Sequence, residues 1–233
     1  MKNLDRIILA LDQMNADEIK QFLDLHGHHF KTIKIGLELY LKYGNQFILE
    51  MSQKYQKDIF LDLKLHDIPK TVEKAILSLE NLPIKFLTVH LGGGLSMLES
   101  SLNEIKKTNP TCQLLGVSFL TSLELKDLQM IYGIQNSDEA FLRLFKLAHD
   151  SGISGVVCSA HELHLLKSLQ TNLIAVTPGV RFLDEINNQS LQDQKRVMDP
   201  LLAIKKGADY LVMGRSFTQS NNIKIETRIA QLI

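Results

Sequence analysis

The chain has 233 residues, 45% of them hydrophobic, and its 26 basic residues balance 26 acidic ones. That length fits one large domain or a single α/β barrel with a sizeable core. Zero net charge gives no electrostatic reason to expect binding to nucleic acid or an anionic membrane surface. No apolar run approaches a membrane span, and the first residues lack a targeting pattern. Isolated Cys112 and Cys158 fit a reducing compartment, so we expect a cytoplasmic protein.

Short apolar runs rich in β-branched residues alternate with amphipathic segments, without a linker or a break in composition. The predicted strands are 6–12, 32–36, 58–64, 86–90, 114–121, 155–159, 173–177 and 210–214. The clearest predicted helices are 69–79, 96–107, 137–150 and 200–206, the last two followed by the cap signals Gly152 and Gly207. This alternation predicts a (β/α)₈ barrel formed by one domain over residues 1–233.

The densest set of charges lies around the end of the third predicted strand. Asp62 and Lys64 are two residues apart in an apolar run, so their side chains point to the same face. Asp67 follows the strand, and Pro69 suits the first turn of a helix. Buried charges cost free energy unless they pair or take part in chemistry. A structural Asp62–Lys64 ion pair is one interpretation, but clustering at the end of a parallel strand favours a functional site.

Polar residues also follow the other predicted strands, at intervals of about one βα unit. A barrel gathers such residues on one rim, where barrel enzymes have their active sites. Opposite charges on neighbouring strands would keep one another ionised. The set comprises Asp12, Lys34, Asp62 with Lys64, His90, Thr121 with Ser122, Ser159, Arg181 and Arg215.

The last two predicted strands end in turns typical of a phosphate site. One reads Thr177-Pro178-Gly179-Val180-Arg181 and the other Met213-Gly214-Arg215-Ser216. Barrels often bind phosphate here through backbone N–H groups and a cation, and the arginine fork matches phosphate oxygens. Surface ion pairs are the alternative for both arginines. Between the turns, residues 182–196 form a polar stretch long enough for a lid.

The pattern Asp62-x-Lys64-x-x-Asp67-Ile68-Pro69-x-Thr71 resembles the signature of the orotidine 5′-phosphate decarboxylase family, and further motifs match in order along the chain. The resemblance implies cofactor-free conversion of orotidine 5′-phosphate (OMP) to UMP, with no metal. The implied catalytic residues are Lys34, Asp62, Lys64 and Asp67, with Lys64 as proton donor to C6 of the pyrimidine. The implied substrate contacts are Asp12, Lys34, Asp62, Ile68, Thr71, Thr121, Ser122, Pro178, Arg181, Gln194, Gly214 and Arg215.

The family also implies a homodimer in which Asp67, Ile68 and Thr71 reach the neighbouring subunit's site.

Two places in the chain depart from the family's pattern. Phe182 stands where the family usually has proline, and Leu91-Gly92 replaces Ala-Ser after His90, which we expect to be structural. Ser122, for its part, could instead cap the next helix.

Two other protein classes share part of this pattern. Metal-dependent sugar-phosphate lyases, such as 3-keto-gulonate 6-phosphate decarboxylase or hexulose-phosphate synthase, share D-x-K-x-x-D but hold Mg²⁺ with an acid where this chain has Lys34. A nucleotide-binding barrel without catalytic activity would be expected to lack some of the charged residues Lys34, Asp62, Lys64 and Asp67, and all four are present.

The histidines are not expected to hold a metal. One group is His26, His28 and His29, and another is His161 and His164. Neither group is accompanied by a third ligand in the sequence, so we expect solvated histidines.

Overall fold

The computed structural model describes residues 3–187 and 197–233. Its strands are parallel and close into a barrel in chain order, because the first strand pairs with both the second and the eighth. The strands are β1 (Ile7–Ala10), β2 (Thr32–Gly36), β3 (Asp58–Leu65), β4 (Ile84–His90), β5 (Gln113–Val117), β6 (Gly155–Val157), β7 (Ile174–Thr177) and β8 (Tyr210–Met213). The predicted (β/α)₈ fold is confirmed.

Helices cover the outside of the barrel. In the described residues they are α1 (Ala16–His26), α2 (Leu37–Tyr55), α3 (Pro69–Leu77), α4 (Gly94–Thr108), α5 (Leu125–Tyr132), α6 (Ser137–Ser151), α7 (Leu163–Ser168), α8 (Leu183–Asn187), α9 (Pro200–Lys205), α10 (Arg215–Thr218) and α11 (Asn222–Leu232). Short 3₁₀ turns lie at Leu4–Arg6, Gly27–His29 and Leu91–Gly93. None of these helices has the length and apolar character needed to cross a membrane.

Alternation along the strands separates two apolar clusters. Ile8, Phe60, Phe86, Leu115 and Val176 fill the inside of the barrel. The alternate strand residues face outwards and pack against the helices. Strand side chains alternate between the two faces, so every second residue points into the barrel. Moving two residues along a strand from this interior cluster therefore reaches an inward side chain closer to the carboxyl-end rim. On β3 that residue is Asp62, which follows the interior Phe60 in this way.

Three predicted strands run at least two residues past their observed ends, and one of them, β6, ends at Val157 rather than at residue 159. β1 ends at Ala10 rather than at residue 12, because Gln13 has a φ of 66° and the chain turns there. β5 ends at Val117 rather than at residue 121, and Phe119 instead packs on Phe141 with ring centroids 5.2 Å apart. Thr121 and Ser122 therefore belong to a loop.

The predicted helices agree with α3, α4, α6 and α9 to within two residues at each end. Gly152 follows α6 with a φ of 75°, as the predicted left-handed cap requires.

The end of β3 is irregular at the predicted catalytic motif. Leu61 pairs with Leu87 and Leu65 with Val89, so three residues of β3 lie opposite the single residue Thr88 of β4. Lys64, within this bulge, has a φ of 50°, a conformation that favours glycine. Bulges of this kind redirect side chains at the rims of barrels.

Candidate active site

Four charged side chains meet at the carboxyl ends of β1, β2 and β3. Lys34 Nζ donates to both carboxylate oxygens of Asp12, at 2.8 and 2.7 Å, and lies 3.6 Å from Asp62 Oδ2. Lys64 Nζ donates to the same Asp62 oxygen at 2.6 Å. The order Asp12, Lys34, Asp62, Lys64 therefore alternates in sign, and every charge has an opposite neighbour.

Asp62 is the buried centre of this array, with 8% of its surface exposed. Burial alone would raise the pKa of its carboxyl group, but the charges of Lys34 and Lys64 favour the ionised form. Hydrogen bonds from Lys64 and from Thr88 Oγ1, which lies 2.9 Å from Asp62 Oδ1, act in the same direction. The pKa of Asp62 consequently lies below its usual value, and the site holds a fixed negative charge.

Thr88 is a site residue that the sequence did not single out. Its buried hydroxyl donates to Asp62 and accepts the backbone N–H of Lys64 at 2.9 Å. Thr88 thus holds both the carboxylate and the irregular backbone of β3. The sequence could have pointed to Thr88 through its position on β4, because it lies two residues before His90 and so shares its inward face.

A cavity of about 360 Å³ opens above the charged array. This volume lies in the range of small-molecule sites, which begins at about 300 Å³. Its apolar floor includes Phe60, Val117, Val157 and Val212. Predicted site residues that line the cavity are Asp12, Lys34, Asp62, Lys64, Thr121, Pro178, Arg181, Gly214 and Arg215.

The turn after β8 lies close against β1. A Cβ atom built on Gly214 would be 2.9 Å from the carbonyl oxygen of Ala10, so a larger residue would push the turn away from the barrel. The next residue, Arg215, begins α10 and lines the cavity. The close approach therefore places a backbone turn and a cation together at the cavity mouth.

Arg181, after β7, is buried and is not a surface ion pair. Its Nη1 donates to Ser216 Oγ at 3.2 Å, and that hydroxyl donates to Glu185 Oε2 at 2.6 Å. Ser216 therefore joins the two predicted phosphate turns through its side chain. Neither Ser216 nor Glu185 was predicted as a site residue.

A residue of the last helix supports the same turn. Buried Arg228 of α11 donates to the carbonyl oxygen of Ser216 and to Ser220 Oγ. Its Nη2 lies 3.4 Å from Glu185 Oε1 and 3.3 Å from Asp184 Oδ2. The turn that carries Arg215 is thereby fixed to α8 and α11 as well as to β1.

Several predicted site residues lie apart from the cavity within the single chain. Asp67, Ile68, Thr71 and Ser122 are exposed and do not line it. Asp67 Oδ1 accepts the N–H of Ile68 at 2.6 Å. The N-cap of α5 is Glu124, so Ser122 does not cap that helix. Gln194 lies outside the described residues, as does most of the polar stretch in which it was predicted.

The histidines differ from the sequence expectation in one place. His90 is half-buried beside His66, with ring centroids 5.1 Å apart, and burial, His66 and Lys64 lower its pKa. His26 and His29, however, lie beside Glu226 of α11, so the expectation that no third ligand accompanies them is wrong. Glu226 could not be recognised as a third ligand from the sequence, because it lies 197 residues after His29.

The fold and the cavity define a class of protein. A closed parallel barrel with a buried array of alternating charges, next to arginine-bearing turns at β7 and β8, is typical of a (β/α)₈ enzyme that acts on an anionic small molecule. Residues 5–228 match the sequence model described as the orotidine 5′-phosphate decarboxylase / HUMPS family. The chain belongs to this family, which confirms the resemblance found in the sequence.

Individual relatives match over nearly the full chain. The chain is 42% identical over 224 residues to an orotidine 5′-phosphate decarboxylase of Staphylococcus saprophyticus, covering 95% of this chain and 94% of that protein. It is 40% identical over 222 residues to one from Legionella pneumophila strain Paris, covering 93% of each. The solved orotidine 5′-phosphate decarboxylase of Lactobacillus acidophilus superposes with a TM-score of 0.82 at 30% identity, covering 97% of this chain and 98% of that one.

Proposed function

We propose that this chain converts OMP to UMP and CO₂, the last step of de novo UMP synthesis. The observation that carries the proposal is the alternating array of Asp12, Lys34, Asp62 and Lys64 on the wall of the cavity. Relatives at about 40% identity over nearly the whole chain bear the name of this activity.

Lys64 is the group that we assign to the reacting carbon. When the bond from C6 of the pyrimidine to the carboxyl group breaks, its electron pair stays on C6 and CO₂ leaves. A fixed ammonium group stabilises that charge more than water does, because it is already oriented. Lys64 Nζ then gives its proton to C6, which forms UMP and leaves a neutral amine for solvent to protonate.

Asp62 faces the departing carboxylate in this scheme. Its negative charge raises the energy of the bound substrate, and the repulsion falls as the substrate's carboxylate becomes neutral CO₂. Lys34 holds Asp62 and Asp12 in place, and Asp12 is available to the ribose. The charges therefore favour the transition state over the ground state.

The opposite side of the cavity would bind the rest of the nucleotide. Arg215 and the backbone of Gly214 suit the phosphate, with buried Arg181 and Pro178 beside them. Thr121 borders the cavity and suits the pyrimidine, and a contact from Ser122 stays a prediction. A phosphate contact from Gln194 likewise stays a prediction.

The protein would act as a homodimer with shared sites. Asp67, Ile68 and Thr71 are exposed on the single chain, and Ile68 presents an apolar side chain that is 67% exposed. Burial against a second subunit would remove that apolar surface from water. In the dimer these residues would reach the neighbouring cavity.

A reducing, cytoplasmic setting and one domain over residues 1–233 complete the proposal. Cys112 and Cys158 are both free thiols and both buried. Burial raises the pKa of Cys112 to about 12, and it also raises the pKa of Cys158. Thiols of this kind are unreactive structural residues.

The metal-dependent lyase is disfavoured by the position of Lys34. Its ammonium group lies between the carboxylates of Asp12 and Asp62, where a divalent cation would otherwise be held. A cation at that point repels Mg²⁺ and already satisfies both acids.

The deciding experiment follows the absorbance of OMP with purified protein in excess EDTA. We expect full conversion to UMP, with Lys64→Ala as the inactive control. Activity that EDTA abolishes and Mg²⁺ restores would contradict the proposal and favour the metal-dependent lyase.

A further inference from the structure

Two histidines and a glutamate meet on the outside of the barrel, between α1 and α11. His26 is the last residue of α1, His29 ends the following 3₁₀ turn, and Glu226 lies one turn into α11. One ligand atom from each lies within 4.8 Å of the other two. Among the described residues that line the charged cavity, none belongs to this trio.

His26 is the buried member, with 7% of its surface exposed. Its Nε2 lies 3.0 Å from Asn222 Oδ1, and its buried Nδ1 has no hydrogen-bond partner among the described residues. With the proton on Nε2, where the Asn222 oxygen accepts it, Nδ1 carries an unused lone pair. A buried polar atom without a partner is unfavourable, so the ring is suited to a further ligand. An oxygen that fixes the tautomer is also typical around metal-binding histidines.

The separation of His29 from Glu226 suits a tetrahedral ion, and the ligand atom of His26 lies within 4.8 Å of both. Zinc bonds of about 2.0–2.1 Å imply ligand atoms roughly 3.3 Å apart. His29 Nε2 and Glu226 Oε1 are already 3.1 Å apart. The Glu226 side chain is 58% exposed, so it can turn about its own bonds to complete the geometry.

The donor set selects the kind of ion. Two imidazoles with one carboxylate favour Zn²⁺ and similar transition metals, whereas Mg²⁺ and Ca²⁺ prefer oxygen ligands. The other interpretation of the same contacts is a simple His29–Glu226 ion pair. An ion pair between His29 and Glu226 alone would leave Nδ1 of His26 without a ligand or hydrogen-bond donor among the described residues.

We propose that His26, His29 and Glu226 bind one Zn²⁺ ion, with water as the fourth ligand, and that this ion fastens α1 to α11. The site is separate from the decarboxylation chemistry. Its effect is on stability, because α11 also carries Arg228, which holds the turn at Ser216. The ion would thereby join two neighbouring helices, α1 and α11, which follow the paired strands β1 and β8.

The test uses the full-length protein, freed of metal with a chelator, and ZnCl₂ as the only probe. Calorimetry should show saturable binding of one ion per chain. At about 100 times its dissociation constant, Zn²⁺ should raise the melting temperature by roughly 5–10 °C. His29→Gln and Glu226→Gln should each weaken binding by at least the ~10–100-fold that loss of a supporting group costs.

His149→Gln is the matched control, because His149 is an exposed histidine that lies 3.2 Å from the carboxylate of Asp150. It should bind Zn²⁺ as the unchanged protein does, and OMP turnover should be unchanged in all three variants. Equal binding in the three variants would place the ion elsewhere and overturn the proposal. A titration without saturable binding would also overturn it, and would leave only the ion pair. If His29→Gln fails to fold, exposed Glu226→Gln still decides between these outcomes.

Discussion

Lys64 Nζ reaches Asp62 Oδ2 at 2.6 Å although the backbone at Lys64 leaves regular strand geometry, with a φ of 50°. The bulge opposite Thr88 turns the Lys64 side chain while Thr88 holds its N–H. The ammonium group is therefore fixed before any substrate arrives. Such preorganisation is the main physical requirement for stabilising a carbanion without a cofactor.

Lys64→Ala should abolish decarboxylation without unfolding the protein. Loss of one preorganised group typically lowers kcat by ~10²–10³, and loss of a group that also donates the proton should cost more. Steady-state kinetics with OMP measures the effect, and Lys107→Ala, which removes an exposed lysine paired with Glu104 on α4, is the control. A Lys64→Ala variant that kept a tenth of the activity would show that the lysine is structural.

Arg215→Ala should mainly impair the phosphorylated substrate. Hydrogen bonds to a charged group are worth about 1.5–3 kcal/mol, so kcat/KM for OMP should fall by roughly 10- to 100-fold. Orotidine, which lacks the phosphate, serves as the internal control and should be turned over about as before. Equal losses for both compounds would contradict the phosphate assignment.

Ser216→Ala should raise the KM for OMP by roughly tenfold, because it removes the hydroxyl that links Arg181 to Glu185. The residue acts through Arg181 and the turn, so kcat should change little. Ser101→Ala is the matched control, since Ser101 is also buried and, among the described residues, its hydroxyl donates to Met97 within its own helix. The idea fails if kcat and KM with OMP match those of the unchanged protein.

Acid should destabilise the protein in two separate ranges of pH. Burial, then His66 and Lys64, lower the pKa of His90, so the unfolded chain takes up that proton first. The contribution of His90 is complete above its unfolded pKa of about 6.5 and falls as the pH drops below it. Asp62 has a lowered pKa, so its contribution is complete above about 3.9 and is lost as the pH falls through the folded pKa.

Urea unfolding at near-neutral and mildly acidic pH tests the histidine part of this prediction. His90→Gln should reduce the loss of unfolding free energy on acidification, whereas exposed His164→Gln should not. The assignment to His90 is wrong if both variants lose as much free energy as the unchanged protein.

Mixing two inactive variants tests whether sites are shared. In a Lys64→Ala/Asp67→Asn heterodimer, one site would combine Lys64 of one chain with Asp67 of the other and be intact. Random exchange gives about half heterodimers, so about a quarter of all sites should recover activity. No recovery despite demonstrated subunit exchange would rule out sharing.

The sequence predicts the barrel well because each strand carries its own local signal. The period of two on β3 places Phe60 inside and Asp62 at the rim, and the next strand repeats the pattern up to His90. The bulge was not predictable in this way, since it depends on the partner Thr88. Arg228 contacts Ser216 on a different helix, and Glu226 contacts His29 near the opposite end of the chain. No local pattern marks such pairs.

The φ of 50° at Lys64 also has a consequence for redesign. A non-glycine residue in this conformation lowers the free energy of unfolding by roughly 1–2 kcal/mol. Glycine at this position would relieve the strain, so a search that scores variants by folding free energy alone would replace the lysine assigned to the chemistry. A design that aims to stabilise this protein should therefore keep Lys64 unchanged and look for stabilising substitutions in the helices outside the barrel.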